Sequence, residues 1–133
     1  MIQPSVVQTG VVQTGVLQTE LNRKDVMDYC IALTTASSEA EAQSIASALI
    51  ADRLAACINF YPIQSMYTWK EQVHCDQEWQ LVIKTQSVKF AALSEKVKTL
   101  HSYDVPELLM LRIEQGSAEY LGWLSAQVGG GQI

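Results

Sequence analysis

Apolar residues recur along the chain with two periods, and the points where the period changes mark out the elements. Residues 26–35 form an apolar stretch of strand-like composition. Ser38 then offers an N-cap with Glu41 three residues on, the spacing of a capping box, and Ala42, Ile45, Ala46 and Leu49 follow at helical period. Residues 56–69 read as a second strand, in which Pro62 removes one ladder donor and predicts a bulge or bend. Residues 73–85 form a third strand, reached through a turn at residues 70–72. Ser87 is placed to cap a second helix, whose Phe90, Leu93, Val97 and Leu100 share one face that must be buried. Leu109, Leu111 and Ile113 alternate with Met110, Arg112 and Glu114, which gives a fourth strand with one apolar and one mixed face. A terminal helix over residues 117–128 carries Tyr120, Leu121 and Leu124.

The order βαββαβ plus a helix is the split βαβ arrangement of an α+β sandwich, an antiparallel sheet with helices on one face. Residues 6–20 are three copies of a five-residue unit, Val-Val-Gln-Thr-Gly, Val-Val-Gln-Thr-Gly and Val-Leu-Gln-Thr-Glu. An odd period keeps no valine face along a strand, and glycine weakens a helix, so residues 1–24 read as a flexible tail. The alternative is an extra edge strand, since Val and Thr favour strands. Residues 25–128 then form one domain, and residues 129–133, which open with three glycines, read as a second short tail.

Composition narrows the function. A chain of 133 residues supports one core, and 48% hydrophobic with 17% charged residues indicates a globular domain. That balance suits a domain that hides part of its surface in an oligomer. Nine scattered Lys and Arg against fourteen Asp and Glu, a net charge of −5, argue against nucleic acid and favour cations over anions. No apolar run reaches the ~20 residues of a membrane span. The N-terminus lacks the pattern of a signal peptide. Cys30, Cys57 and Cys75 have no C-x-x-C spacing, so neither a disulfide framework nor a structural zinc pattern is indicated, and a reducing, cytoplasmic location follows as the expectation.

The densest chemistry lies in Leu-His-Ser-Tyr-Asp-Val-Pro-Glu-Leu (100–108), a connection between helix and strand. Pro106 biases Val105 toward an extended conformation and sends Glu107 into the next strand in a fixed direction. His101 and Glu107 are the sharpest candidate pair, since neutral imidazole and carboxylate suit copper or zinc. Tyr103, Asp104, a water or a group from another subunit would complete the set. The competing structural role is that His101 caps the second helix and Glu107 pairs with a base such as Lys84.

Five segments together are similar to one known family. They are Leu-Ala-Ala-Cys-Ile-Asn (54–59), Ser-Met-Tyr-Thr-Trp (65–69), Glu-Trp-Gln-Leu-Val-Ile-Lys-Thr (78–85), the loop at 100–108 and Tyr-Leu-Gly-Trp (120–123). In that order they closely resemble the CutA family, named for divalent-cation tolerance, over roughly residues 27–128. The resemblance implies a ferredoxin-like fold, a homotrimer built through the sheets, and a non-catalytic role in the response to metal ions such as copper. Two departures stand out: Lys70, Glu71 and Gln72 occupy a turn where the family often has Gly, and Ser102 follows His101 where Pro is usual. Some members also carry a Cys at the end of the first strand, where this chain has Leu33-Thr34-Thr35, so a thiolate site does not transfer.

Other candidates are weaker. His74 and Cys75 point to opposite faces of a regular strand, while Asp76 and Glu78 share a face with His74 and form a polar row. Cys57 reads as a small buried hydrophobe, with no cation supplied by its neighbours in sequence. Lys84, Lys89 or Arg112, with the loop at His101, would serve a PII-like trimer that binds a small anionic ligand in the clefts between subunits. A trimeric interaction scaffold is the third reading. Tyr67, Trp69, Trp79 and Trp123 are the expected subunit-interface aromatics. No hydrolase, phosphate-loop or dinucleotide motif is present, so no catalytic turnover is expected.

Overall fold

The structure, a computed structural model, describes residues 29–129; the repeats, residues 26–28 of the first expected strand, and residues 130–133 lie outside the described residues. Strands β1 (Tyr29–Ala36), β2 (Cys57–Trp69), β3 (Gln72–Gln86) and β4 (Leu109–Ile113) alternate with helices α1 (Glu39–Ala51), α2 (Phe90–Leu100) and α3 (Ala118–Val128) in the order β1 α1 β2 β3 α2 β4 α3. All pairings are antiparallel and the sheet order is β2-β3-β1-β4. This is the expected α+β, ferredoxin-like arrangement with one added helix.

Residues paired across strands share a face, so the register sorts the side chains. Ala32 and Ala36 of β1 with Leu81 and Ile83 of β3 meet Ile45 and Leu49 of α1 and Leu93 and Val97 of α2 in the main core, each essentially without solvent exposure. Full burial of such an aliphatic side chain contributes ~1.5–3 kcal/mol. Tyr29, one residue out of phase with Cys30 and Ala32, faces the other way and packs with Leu121, Leu124 and Val128 of α3. The sheet therefore does not carry all its helices on one face, as expected from the element order. α3 covers one end of the opposite face, and Leu109, Leu111 and Tyr61 remain about half exposed beyond it.

Two local expectations are corrected. The β2–β3 register runs from Cys57↔Lys84 to Trp69↔Gln72 without a slip at Pro62↔Trp79. β2 is an edge strand, where a missing donor costs no ladder bond if it faces outward, so no bulge is needed. Ser87 opens a single 3-10 turn, Ser87–Lys89, and caps nothing; its Oγ is buried without a hydrogen-bond partner. By contrast, Ser38 has extended backbone and accepts the Glu41 N–H at 3.1 Å, an N-cap as the spacing predicts.

The long hairpin outruns its neighbour. β1 ends with Ala36 opposite Trp79, and β2 and β3 continue as a two-stranded arm to a turn at Lys70 and Glu71. Both turn residues have positive φ, 53° and 66°, the twist-matched geometry for which Asn-Gly is preferred.

Candidate functional site

The loop after α2 is fastened by its histidine. α2 ends at Leu100, and the His101 N–H caps it by donating to the Val97 carbonyl at 2.9 Å. The imidazole is fully buried. Nε2 lies 2.5 Å from the Thr35 carbonyl, which only accepts, so Nε2 carries the proton; Nδ1 keeps its lone pair and accepts the Tyr103 N–H at 3.1 Å. Both ring nitrogens are thereby engaged, with the Glu41 Oε2 also 3.6 Å from Nδ1. The ligand role expected for His101 is absent from this geometry, because neither nitrogen has a lone pair free for a metal.

Glu41 holds the other side of the loop. Its Oε1 accepts both the N–H and the hydroxyl of Ser37, at 2.8 and 2.7 Å, and its Oε2 accepts the Ser102 N–H at 2.8 Å. Burial alone would raise its pKa, but these hydrogen bonds outweigh it and hold the carboxyl at about 2. The capping-box spacing had accounted for Glu41, and nothing in the linear pattern signals its reach across 61 residues to Ser102. Proline at position 102 would have no N–H to give, so the departure from the family habit is what permits this bond.

Beyond these anchors the loop faces the hairpin arm across a cleft of about 490 Å³. Glu78, almost buried on β3, accepts the Tyr103 hydroxyl at 2.6 Å. Burial first, and this bond second, push the Tyr103 phenol well above its ordinary pKa. Glu107 lies beside Gln80, whose Nε2 donates to the Thr34 carbonyl at 2.9 Å and more weakly to Glu107 at 3.4 Å. With Asp104, these residues give the cleft three carboxylates, Tyr67, Trp69 and Tyr103 supply aromatic surface, and no Lys, Arg or His lines it. Electrostatically it suits a cation.

The remaining candidates scatter. Lys84 pairs with Ile31 and Arg112 with Cys30, adjacent positions of β1, so their side chains lie on opposite faces of the sheet. Lys84 donates to Asn59 Oδ1 and not to Glu107. These two positions and Lys89 of the 3-10 turn lie toward the start of β1 and the end of β3, whereas His101 meets Thr35 near the end of β1. Within one subunit these residues therefore do not meet at the loop. On the arm, Tyr67 stacks on His74 at 5.5 Å and donates to Asp76 at 2.5 Å, which ties the polar row to itself. Cys57 is half-buried against Tyr120, Cys30 is buried and Cys75 is exposed; none of the three is in a disulfide. Trp79 packs on the main core beside Phe60, while Tyr67, Trp69 and Trp123 are each more than two-fifths exposed. Among the described residues no three His, Cys, Asp or Glu side chains gather closely enough to hold an ion, and no helix is long and apolar enough to cross a membrane.

Comparison with known proteins matches this architecture. A family model described as CutA1 divalent ion tolerance protein matches residues 30–127. The divalent-cation tolerance protein CutA of Thermus thermophilus is 46% identical over 100 residues, covering 74% of this chain and 97% of its own. The solved divalent cation tolerance protein (Cut A1) from Thermus thermophilus superposes with a TM-score of 0.74 at 45% identity, over 76% of this chain and 99% of that one. The periplasmic divalent cation tolerance protein CutA from Archaeoglobus fulgidus does so with a TM-score of 0.74 at 37% identity, over 75% and 98%. With matching motifs, fold and family model over the whole described domain, the chain belongs to the CutA1 divalent ion tolerance protein family.

Proposed function

We propose that this chain acts without catalytic turnover in the response to divalent metal ions, copper among them, and that it does so as a homotrimer. One observation carries the reading: in a member of a divalent-cation tolerance family, the cleft between loop and arm is lined by Glu78, Asp104 and Glu107 and by no basic side chain. The loop's ligand role passes from His101 to the carboxylates, with Glu107 and Asp104 meeting a hydrated ion and His101 holding the loop in place. Assembly is supported by the open half of the sheet, where Leu109 and Leu111 are 53% and 52% exposed on an edge strand. Three cysteines outside any disulfide, one of them exposed, support a reducing, cytoplasmic setting; fractionation of the host cell tests that.

Calorimetric titration of the purified chain with Cu²⁺, Zn²⁺ and a nucleotide panel tests the binding. The reading expects uptake of a divalent ion, weakened in Glu107→Gln, and no response to nucleotides. Nucleotide binding with no metal uptake would move the chain to the anion-sensing class, and binding of neither would favour a scaffold.

A further inference from the structure

The partners that bury His101 come from β1, α1 and its own loop, and they do not treat its two protonation states alike. In the neutral ring, Nε2–H donates to the Thr35 carbonyl of β1 and the Nδ1 lone pair accepts the Tyr103 N–H. Protonation changes only the second bond. A proton on Nδ1 takes up the lone pair, so the Tyr103 N–H loses its acceptor while Nε2 goes on donating to Thr35. The new Nδ1–H has a partner waiting. Glu41 Oε2 of α1 stands 3.6 Å from Nδ1, and an approach of ~1 Å would make a charge-assisted hydrogen bond. Burial works against the charge of Glu41, but the hydrogen bonds from Ser37 and Ser102 prevail and hold its carboxyl at about 2. It therefore stays ionised throughout the range of about pH 5 to 8 in which a histidine ordinarily changes charge. The other titratable groups around the ring are Tyr103, whose own ring lies 4.7 Å away, and Glu78 of β3 behind it. Lys98, in the last turn of α2, is turned to Glu95.

We propose that His101 is a proton-operated latch on the loop at residues 101–107, which fastens the Tyr103 backbone when neutral and gives it up for Glu41 when protonated. One proton enters from solvent, one hydrogen bond is replaced by another, and no covalent bond is made or broken. Tyr103 is then held through its hydroxyl, by the bond to Glu78, and the segment that brings Tyr103, Asp104 and Glu107 to the cleft gains freedom in acid. The latch is built from hydrogen bonds within one subunit and does not rest on the reading of the cleft as an ion site. Where that reading holds, ion uptake weakens as the latch opens.

The full-length chain, deuterated and labelled with nitrogen-15, is followed by NMR in metal-free buffer as the pH is lowered from about 7.5 to 4.5. The imidazole is expected to pass from the Nε2–H form to the doubly protonated form. Over the same step the hydrogen-exchange protection of the Tyr103 amide should fall about tenfold or more, and that of the Ser102 amide, which Glu41 still holds, by less than about twofold. Glu41→Gln removes the charge that receives the proton and should move the step toward acid by about one pH unit or more. His101→Gln, which takes no proton, should leave Tyr103 protection constant across the range. Circular dichroism checks each variant, and the parent titration with Glu41→Gln decides if His101→Gln is unfolded; if Glu41→Gln is unfolded as well, the parent titration decides. The proposal is overturned by a ring that stays in the Nε2–H form down to pH 4.5, by a Tyr103 amide that keeps its protection while the ring titrates, or by a step that Glu41→Gln leaves in place. Zn²⁺ titration at both ends of the range judges the proposed function separately, since absent uptake at either pH would sink the ion reading and leave the latch standing.

Discussion

The two faces of the sheet are drawn from similar residues and come to different ends. On one face, Ala32, Leu81 and Ile83 disappear beneath α1 and α2 with no exposure. On the other, α3 covers one end, around Tyr29, Cys57, Gln86 and Ile113, and Leu109, Leu111 and Tyr61 stay uncovered. Alternation alone does not separate these outcomes, because a strand's period says which residues share a face and not what will cover it. The covered face builds the stability of the subunit. The uncovered one, with the cleft at its margin, carries the features left for assembly and binding.

Truncation of one side chain on each face is the strongest way to break this contrast. Leu93→Ala, in the main core, should lower unfolding free energy by roughly 2–5 kcal/mol at any protein concentration, measured by urea denaturation. Leu111→Lys should leave the subunit folded and shift its mass toward the monomer in light scattering, since a charge on an apolar contact surface opposes association. A Leu111→Lys chain that stays trimeric would show that the open face is not the contact.

Removing His101 sharpens the same contrast at the seam between the faces. His101→Ala leaves the Thr35 carbonyl and the Tyr103 N–H without their partner, which costs about 1–3 kcal/mol where such groups are buried. If the imidazole only positions the loop, metal affinity should fall less than in Glu107→Gln. The hairpin tip offers a gain of smaller size. Replacing Lys70-Glu71 by Asn-Gly relieves two left-handed backbones and should raise stability by about 1 kcal/mol, read from the denaturation midpoint.

The subtlest test is acid. Glu41 has a folded pKa of about 2 against an ordinary value of 4.5, so its contribution is present above the unfolded pKa. It is lost as pH falls from about 4.5 through 2. Glu41→Gln should flatten the stability profile in that window and leave the profile above about pH 6 parallel to that of the parent chain. An unchanged slope between pH 4.5 and 2 would contradict the role of Ser37 and Ser102.

Much of the fold was legible because the local signals were strong. The helical stripe Ala42, Ile45, Ala46, Leu49 and the alternation in β4 have one regular reading each. The placement of α3 was not legible, since it depends on which end of the sheet the chain reaches after β4. Pro62 misled because a proline reads as a break until the strand is known to be an edge. At the site, the loop and Glu107 were singled out from residue types alone, and the fold sets both against the cleft. The fates of His101 and Glu41 were hidden, as their partners Thr35 and Ser102 lie 66 and 61 residues away. Glu78 was noted only for its row with His74 and Asp76, and its bond to Tyr103 emerges from the folded register.

The central claim is that divalent ions are met by the carboxylates of the cleft. Crystals of the full chain grown with Zn²⁺ or Cu²⁺, measured at the metal's absorption edge, test it most directly. The account predicts an anomalous peak beside Glu107 and Asp104 that vanishes in Glu107→Gln. A peak confined to Cys75 or Cys57, with none in the cleft, would contradict it.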